Sequence, residues 1–475
     1  MESEPAGTAA PDGPVDRIAG HIMTGSLAGS VNRPLWLDTA DRPDPRPSLA
    51  GDTDVDLAVV GGGFTGLWAA LRAVERAPGT RVLVLEADRV AEHATGRNGG
   101  FCEASLTHGE ANGRARWPEE YDLLHRLGVE NLDDIEATVE RYAIACGFVR
   151  GGTLAVATRP HEVDRLEPGR PGFLDTAAVR QVLDSPTYVA GRVEPPAECA
   201  LVDPARLAWG LAEAAESRGV ALAEGTAVTA VRREPQGVRL RTPYGVVSAR
   251  RVVLATNVFR PLLRRLRLTT VPVYDYVLAT QPLTEAQLAA LRWDAGIGVS
   301  DSGNQFHYYR VTPDRRILWG GYDAVYHFGR SVERAHEERP ETYARLAAHF
   351  AATFPQLEGI RFTHRWAGVI DTSTRFCASY GTAYGGRAAY ALGFTGLGVG
   401  ASRFAADVML DLLGGTPTER TRLKMVRRPA VPFPPEPVAW LGVEATRRAL
   451  AREDETGRRG PWLRLLDRLG LGFDS

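Results

Sequence analysis

Three glycines, Gly61, Gly63 and Gly66, and one carboxylate, Glu86, are the residues of this 475-residue chain whose types and spacing point most directly to chemistry. In a Gly-x-Gly-x-x-Gly turn the first glycine permits a tight bend. The second lets backbone N–H groups approach a pyrophosphate, and the third lets a helix pack close to a strand. The unsatisfied N–H groups and dipole of the helix N-terminus then favour the anion. Phe64 and Thr65 fall inside the turn, and Glu86 follows Gly66 by 20 residues, placed to accept both hydroxyls of a ribose. Such a turn carries nucleotide chemistry only between a strand and a helix, and a purely structural glycine turn is the alternative.

The flanking elements meet that condition. Val55 to Val60 is an apolar, β-branched run of buried-strand length. Leu67, Ala70, Leu71 and Val74 then recur at helical spacing, and the helix stops near Pro78-Gly79. Arg81 to Leu85 reads as a second strand ending at Glu86, which completes one βαβ unit. A nicotinamide dehydrogenase would continue with regular βα units. Here a second glycine strip follows instead, Thr95-Gly96-Arg97-Asn98-Gly99-Gly100-Phe101. Its glycines let backbone pass against a flat ring system, and Arg97 can meet phosphate or a ring carbonyl, which favours FAD over an ordinary surface turn.

The rest of the chain reads as a mixed α/β protein. Helices are predicted over Tyr121 to Ala145, Asp203-Pro204 to Ser217, Pro340 to Phe354 and Ser402 to Leu413. Strands are predicted at 221–223, 227–232, 238–242, 252–255, 271–279, 304–311, 317–320 and 388–392. Apolar residues make up 44% and the net charge is -2, which excludes a disordered chain and gives no basic field for nucleic acid. No apolar run approaches the roughly 18 residues of a membrane span. Four scattered cysteines exclude a zinc or other metal knot and a disulfide scaffold. With an acidic, Pro/Gly-rich beginning that is no secretory signal, they predict a cytoplasmic protein. Of 56 basic residues only Lys424 is a lysine, so almost no amine is available as a base or Schiff-base nucleophile.

The chain resembles the FAD-dependent glycine/D-amino-acid oxidase (DAO) family, nearest the branch of gamma-glutamylputrescine oxidase and the sarcosine oxidases. The resemblance is carried by VVGGGFTGLWAAL (59–71) with VLVLEA (82–87), GRNGGF (96–101), and RWAGVID (365–371) with YALGFTGLGVG (390–400). LVDPARL (201–207), TAVTAV (226–231) and VVLATN (252–257) support it, and the match spans about residues 55–415. It implies a Rossmann-type FAD domain of the glutathione-reductase-like kind in three pieces, 50–105, 195–265 and 365–415. A β-rich substrate (cap) domain, 106–194 and 266–364, would be inserted between them. A flexible arm (1–49) and a C-terminal strap with helices (416–475) would flank both. Gly61, Gly63 and Gly66 would hold the pyrophosphate and Glu86 the ribose. Val228 would pair its backbone with adenine, and Thr256 would close over the cofactor. Arg97, Asn98, Gly99 and Gly100 would line the flavin. Gly393, Phe394, Thr395, Gly396, Leu397 and Gly398 would cover its pyrimidine edge, their helix aimed at developing negative charge. Many relatives have histidine where this chain has Leu397.

The resemblance further implies removal of a hydride equivalent from the carbon beside an amine nitrogen. The substrate would be a small amine or amino acid, and oxygen or another acceptor would return the flavin to its oxidised state. A dehydrogenase of a biosynthetic intermediate and a non-catalytic FAD-binding protein are the alternatives. Sarcosine-oxidase relatives use a lysine over the flavin toward oxygen, and none lies between residues 1 and 423 here. Some relatives attach flavin covalently. Cys377 and His93 are the candidates, but the spacing of Cys377 to Gly393 does not suit it, and non-covalent FAD is expected. In the substrate half, alternation along 305–310 sets Phe306, Tyr308 and Arg310 on one face and His307 and Tyr309 on the other. Arg310 could meet a substrate carboxylate or be a salt-bridged arginine. Tyr276, His307 and Tyr309 could line the site or be structural, and Asp371 is expected to ion-pair with Arg365 or order a loop. Pro432 to Pro437 should form an extended strap, and 438–452 and 462–469 should be amphipathic helices docked on the parent domain or lying on a membrane surface.

Overall fold

An apolar run buried on both faces needs neighbours on both edges, and a parallel sheet supplies them. The computed structural model, which describes residues 25–471, forms that sheet around the first strand. The elements that carry the site run, in chain order, β1 (Thr53–Val60), α1 (Phe64–Arg76), β2 (Val82–Leu85), α2 (Pro204–Ser217), β3 (Gly245–Leu254), β4 (Thr270–Thr280), β5 (His307–Val311), β6 (Ile317–Gly321), α3 (Pro340–Thr353), β7 (Phe362–Ser373), β8 (Ala388–Leu392), α4 (Gly398–Gly414), α5 (Val438–Thr456) and α6 (Pro461–Arg468).

β1 pairs in parallel with β2 on one side and β3 on the other, and β2 pairs with Ala221–Ala223. β8 joins the C-terminal half of β3, also in parallel. Helices α1, α2 and α4 cover this sheet, and Leu67, Trp68 and Leu71 of α1 are fully buried. Each such side chain contributes about 1.5–3 kcal/mol by leaving water. The α1–α4 contact is tied at its rim by Arg72 and Arg76 on Asp407 and by Arg76 on Asp411.

A second sheet runs β7-β4-β6-β5 and continues through Gly298–Asp301 and Thr153–Ala157 to Ala190–Glu194 and Phe173–Asp175. One of its faces packs on α3, where Tyr276, Trp319, Tyr343 and Phe350 are buried together. Its other face, with Val273, Asp275 and Tyr308, is turned toward the parallel sheet. The first part of segment 365–415, expected with the FAD domain, runs in this second sheet: Arg365 to Ser373 are strand β7.

The arm expected over 1–49 is not free where it is described. Val31–Asn32 pairs in parallel with His364 and Arg365 of β7, and Leu35–Leu37 forms a short turn that buries Trp36 and Leu37. Burial of these apolar side chains ties the segment down. Residues 1–24 lie outside the described residues. Two predicted strands are shorter than expected: regular pairing begins at Ala230 rather than Ala227, and at His307 rather than Asn304. Among the described residues no helix is long and apolar enough to cross a membrane, and no cluster of His, Cys, Asp and Glu could hold a metal. All four cysteines are free and buried.

Candidate active site

β1 delivers the chain into the glycine turn, and the turn has no room for side chains. Gly61 has φ +112°, a backbone that L residues avoid, and a Cβ at Gly66 would stand 1.9 Å from the Gly61 carbonyl oxygen. Gly63 is the N-cap of α1 and brings no capping side chain, so the helix end stays open to an anion. The Glu86 carboxylate accepts N–H groups from Gly62 (2.5 Å) and Asp88 (2.9 Å). Burial pushes its pKa up. Each oxygen keeps a lone pair for a ribose hydroxyl. Val228, Thr256 and Asn257 line the same end of the cavity.

The second glycine strip is held from several sides. Asn98 uses its amide within the turn: Nδ2 donates to Ala94 and Thr95 carbonyls, and Oδ1 accepts the Gly100 N–H at 2.8 Å. Arg97 is spent on Glu337 (2.8 Å) and on the carbonyls of Glu92 and Ala367. Two indoles clamp the strip, Trp36 Nε1 donating to the Asn98 carbonyl at 2.8 Å and Trp366 Nε1 to the Arg97 carbonyl at 2.9 Å. A Cβ at Gly99 would meet the Tyr308 ring at 2.6 Å. The side chains of Arg97 and Asn98 therefore shape the strip, while its backbone and Gly99 face the cavity.

The late glycine block is ordered by Asp371. Its carboxylate accepts the N–H groups of Gly393 and of Phe394 (3.2 Å), and its carbonyl accepts Thr395 N–H at 3.2 Å. Burial raises the Asp371 pKa to about 7 against the pull of these donors. Of the two roles expected for Asp371, the ordering of a loop is present and the ion pair with Arg365 is absent. Arg365 turns outward to Ser30 and Glu338, because Asp371 lies on the buried, opposite stretch of β7. Phe394, Thr395, Gly396, Leu397 and Gly398 line the cavity, and α4 begins there with no side-chain cap.

The four substrate-half candidates fall elsewhere. Tyr276 donates to the His336 carbonyl (2.7 Å) and packs on Tyr343. His307 bonds Asp301 and His349 and stacks on Trp319. Tyr309 shares a 2.6 Å hydrogen bond with Tyr188. Arg310 is buried beneath the glycine strip, donating to the Val202 (2.7 Å) and Gly100 (3.2 Å) carbonyls. None of the four lines the cavity. Strand alternation is the reason: Tyr276, His307 and Tyr309 point to the α3 face, and Arg310 shares the Tyr308 face but lies past the cavity edge. Their neighbours Asp275 and Tyr308 do line it, with the Tyr308 hydroxyl donating to the Asp275 carboxylate. The signal for them was present, since an aspartate stands alone inside the apolar strand VPVYDYVLAT. The two candidates for covalent attachment are also otherwise engaged. Cys377 is a buried thiol whose pKa burial raises, and His93 pairs with Asp88.

One cavity of about 1230 Å³ joins all three regions, from Gly61 and Glu86 through Gly99 to the 394–398 turn and on to Asp275 and Tyr308. It exceeds the ~300–1,000 Å³ of an ordinary small-ligand pocket, as a cofactor plus a substrate would require. Three features of the fit agree with an extended dinucleotide: the side-chain-free turn, the acid at the end of β2 and the uncapped start of α4. The far wall is the C-terminal hairpin, with Val443 and Leu450 of α5 and Trp462 and Leu466 of α6 facing inward. The hairpin docks through Asp454, whose carboxylate accepts the N–H groups of Asn304 and Gln305, both at 2.8 Å, and the Asn304 amide at 2.7 Å. Asp454→Ala should loosen this wall and raise KM about tenfold, ~1.4 kcal/mol, with flavin content unchanged. Steady-state kinetics beside the flavin-to-protein absorbance ratio checks it.

Comparison with known proteins gives a consistent result. A family model described as FAD dependent oxidoreductase (DAO) matches residues 56–412. The gamma-glutamylputrescine oxidoreductase of Escherichia coli strain K12 is 29% identical over 394 residues, 79% of this chain and 88% of that protein. A probable oxidoreductase of Haemophilus influenzae, OrdL, is 27% identical over 84% of this chain and 92% of its own length. Among solved structures, glycine oxidase from Geobacillus kaustophilus superposes with a TM-score of 0.66 at 21% identity, covering 79% of this chain and 99% of that one.

Proposed function

The chain belongs to the DAO family of FAD-dependent oxidoreductases, and from that premise we propose that it oxidises a C–N bond of an amine or amino acid to an imine. Bound FAD would supply the acceptor for a hydride equivalent, with oxygen restoring it and hydrogen peroxide as the by-product. The residues of this chain do the remaining work. Gly61, Gly63 and Gly66 would hold the pyrophosphate and Glu86 the ribose. The 97–100 strip and the 393–398 turn would flank the ring, and the α4 N-terminus would favour negative charge beside it. The second sheet and the C-terminal hairpin enclose the reacting carbon and exclude water until the imine leaves to be hydrolysed.

The observation that carries this reading is the single cavity joining the dinucleotide turn to the late glycine block and to Asp275. In it the parallel sheet serves as the FAD domain of the glutathione-reductase-like kind and the second sheet as the substrate domain. FAD is held without a covalent bond, and the four reduced, buried thiols favour the cytoplasm. A second reading, reoxidation by an acceptor other than oxygen, is favoured by the position of the one lysine. Lys424 pairs with Glu119 away from the cavity. The test is anaerobic bleaching of the purified flavoprotein by polyamines, N-methyl amino acids, D-amino acids and aminophosphonates. Bleaching by one class, reversed by air with peroxide formed, is the expected result. Protein that stays colourless with added FAD would overturn the reading. Slow recovery in air would select the second acceptor.

A further inference from the structure

We propose that Asp275, held by Tyr308, receives the ammonium group of the substrate and takes its proton, and that the substrate is a cationic amine with no carboxylate on the reacting carbon. This rests on the C–N oxidation proposed above and adds the substrate class. The first argument is the sign of charge around the ring. A substrate carboxylate needs a cation, yet the arginines on this part of the wall are already committed. Arg97 holds Glu337, Arg165 holds the Ser302 carbonyl, Arg192 holds Glu167 and Glu194, and Arg447 holds Glu444. The remaining arginines on the wall are Arg89, which donates to the Pro43 carbonyl and follows Glu86 by three residues, and Arg260, beside Thr256 and Asn257; both stand at the adenosine end. Arg310 is spent beneath the glycine strip.

Asp275 is the complement of that arrangement. Among the described residues no cationic side chain lies within ion-pair distance of it, and its side-chain partner is the Tyr308 hydroxyl. The surrounding strands leave its approach clear. Gly368 stands opposite it on β7, and Gly320 and Gly321 of β6 bring no side chains. Tyr308 is placed by Gly320 and by Gly99 of the glycine strip, since a Cβ at either would meet its ring at 2.6 Å. The pair is therefore fixed beside the ring-lining strip. A carboxylate with no ion-pair partner in a mostly apolar cavity selects a cation and disfavours a second anion.

The protonation chemistry is consistent. Burial raises the Asp275 pKa to about 7, while Tyr308 and the backbone of Tyr276 and Gly321 pull it down, as does His307 on the far side of the sheet. An alkylammonium sits near ~10.4 in water, so a base near 7 halves the gap that an ordinary carboxylate near ~3.9 would face. In the step, one N–H bond of the ammonium breaks and its electron pair stays on nitrogen. The proton forms an O–H bond on Asp275, and no electrons are transferred between the two groups. The neutral amine is the form that yields a hydride readily.

The test uses the holoenzyme, anaerobically. Alkylamines and diamines are compared with glycine, sarcosine and D-alanine, and Asp275→Asn and Tyr308→Phe with the parent chain. The parent should be reduced by the amines at least about tenfold more efficiently than by the amino acids. Asp275→Asn should lower kcat/KM for amines about 30-fold or more, ~2 kcal/mol at 1.4 kcal/mol per tenfold, with flavin content retained. It should also abolish an acidic limb near pH 7 in kcat/KM. Tyr308→Phe should shift that limb upward, because a hydrogen bond to the charged form is lost. Amino acids that reduce the flavin as well as amines, or a limb that survives in Asp275→Asn, would overturn this inference and leave C–N oxidation standing. Flavin that dithionite reduces but neither substrate class does would overturn both.

Discussion

Gly66→Ala is expected to give protein that purifies without its flavin. The added Cβ would stand 1.9 Å from the Gly61 carbonyl oxygen and 3.2 Å from Val59 Cγ1. The first of these is backbone, so no rotamer change relieves it. Helix α1 must move away from β1, and its open N-terminal N–H groups move with it. Those groups and the turn are where the proposed site would receive the pyrophosphate, so FAD affinity should fall about 100-fold or more, ~3 kcal/mol. The visible-to-280 nm absorbance ratio after gel filtration, followed by FAD titration of the apoprotein, measures it. Gly414→Ala is the matched control. Gly414 closes α4 in open space with ordinary backbone, so that variant should keep its flavin and gain up to ~1 kcal/mol of helix stability. Wild-type flavin content in Gly66→Ala would contradict the role given to the turn.

Asp371→Ala should be the most destabilising single change on the ring side. It orphans two buried N–H groups, those of Gly393 and Phe394, in a turn that otherwise leans on Thr395. At ~1–3 kcal/mol for each unsatisfied donor, the loss should be about 3 kcal/mol. Its pH dependence has a definite sign. Burial raises the folded-state pKa of Asp371 from 3.8 to about 7. The contribution of the side chain is therefore complete below the unfolded value and is lost as pH rises through about 7. The stability difference between parent and variant should be larger at pH 5 than at pH 8, in urea unfolding with FAD held saturating. An equal or larger difference at pH 8 would mean that the carboxylate is bound in its charged form.

The dinucleotide half was legible because its chemistry is local. A strand, three glycines, a helix and an acid occupy Val55 to Glu86, and each rule that reads them spans only a few residues. The late glycine block was legible by likeness, and of the two roles open to its organiser Asp371 the ordering of a loop held while the ion pair with Arg365 did not. An aspartate in a strand does not reveal whether arginine or backbone N–H groups will meet it. The substrate half failed by one residue of strand parity. Tyr276 and His307 were chosen for their chemical types, whereas Asp275 and Tyr308 are the ones whose side chains leave the α3 face. Trp36 fell within the arm expected to be flexible, and its hydrogen bond to Asn98, 62 residues away, has no signature in the sequence. The inward face of the C-terminal hairpin was hidden in the same way, since its apolar residues serve a wall built by other elements.

The clamp on the glycine strip also sets the order of events at the ribosome. Trp36 emerges before the strip it grips, but Trp366 and the 393–398 turn emerge more than 260 residues later. Contacts of such sequence separation form slowly, and until they form the nascent chain exposes apolar surface. The adenosine half of the cradle can be finished once β3 has been synthesised, yet the ring half must wait until α4 has left the exit tunnel. If these segments hold the ring as proposed, FAD should load only after α4 has emerged, and riboflavin-starved cells should accumulate chains whose second half is open to proteolysis.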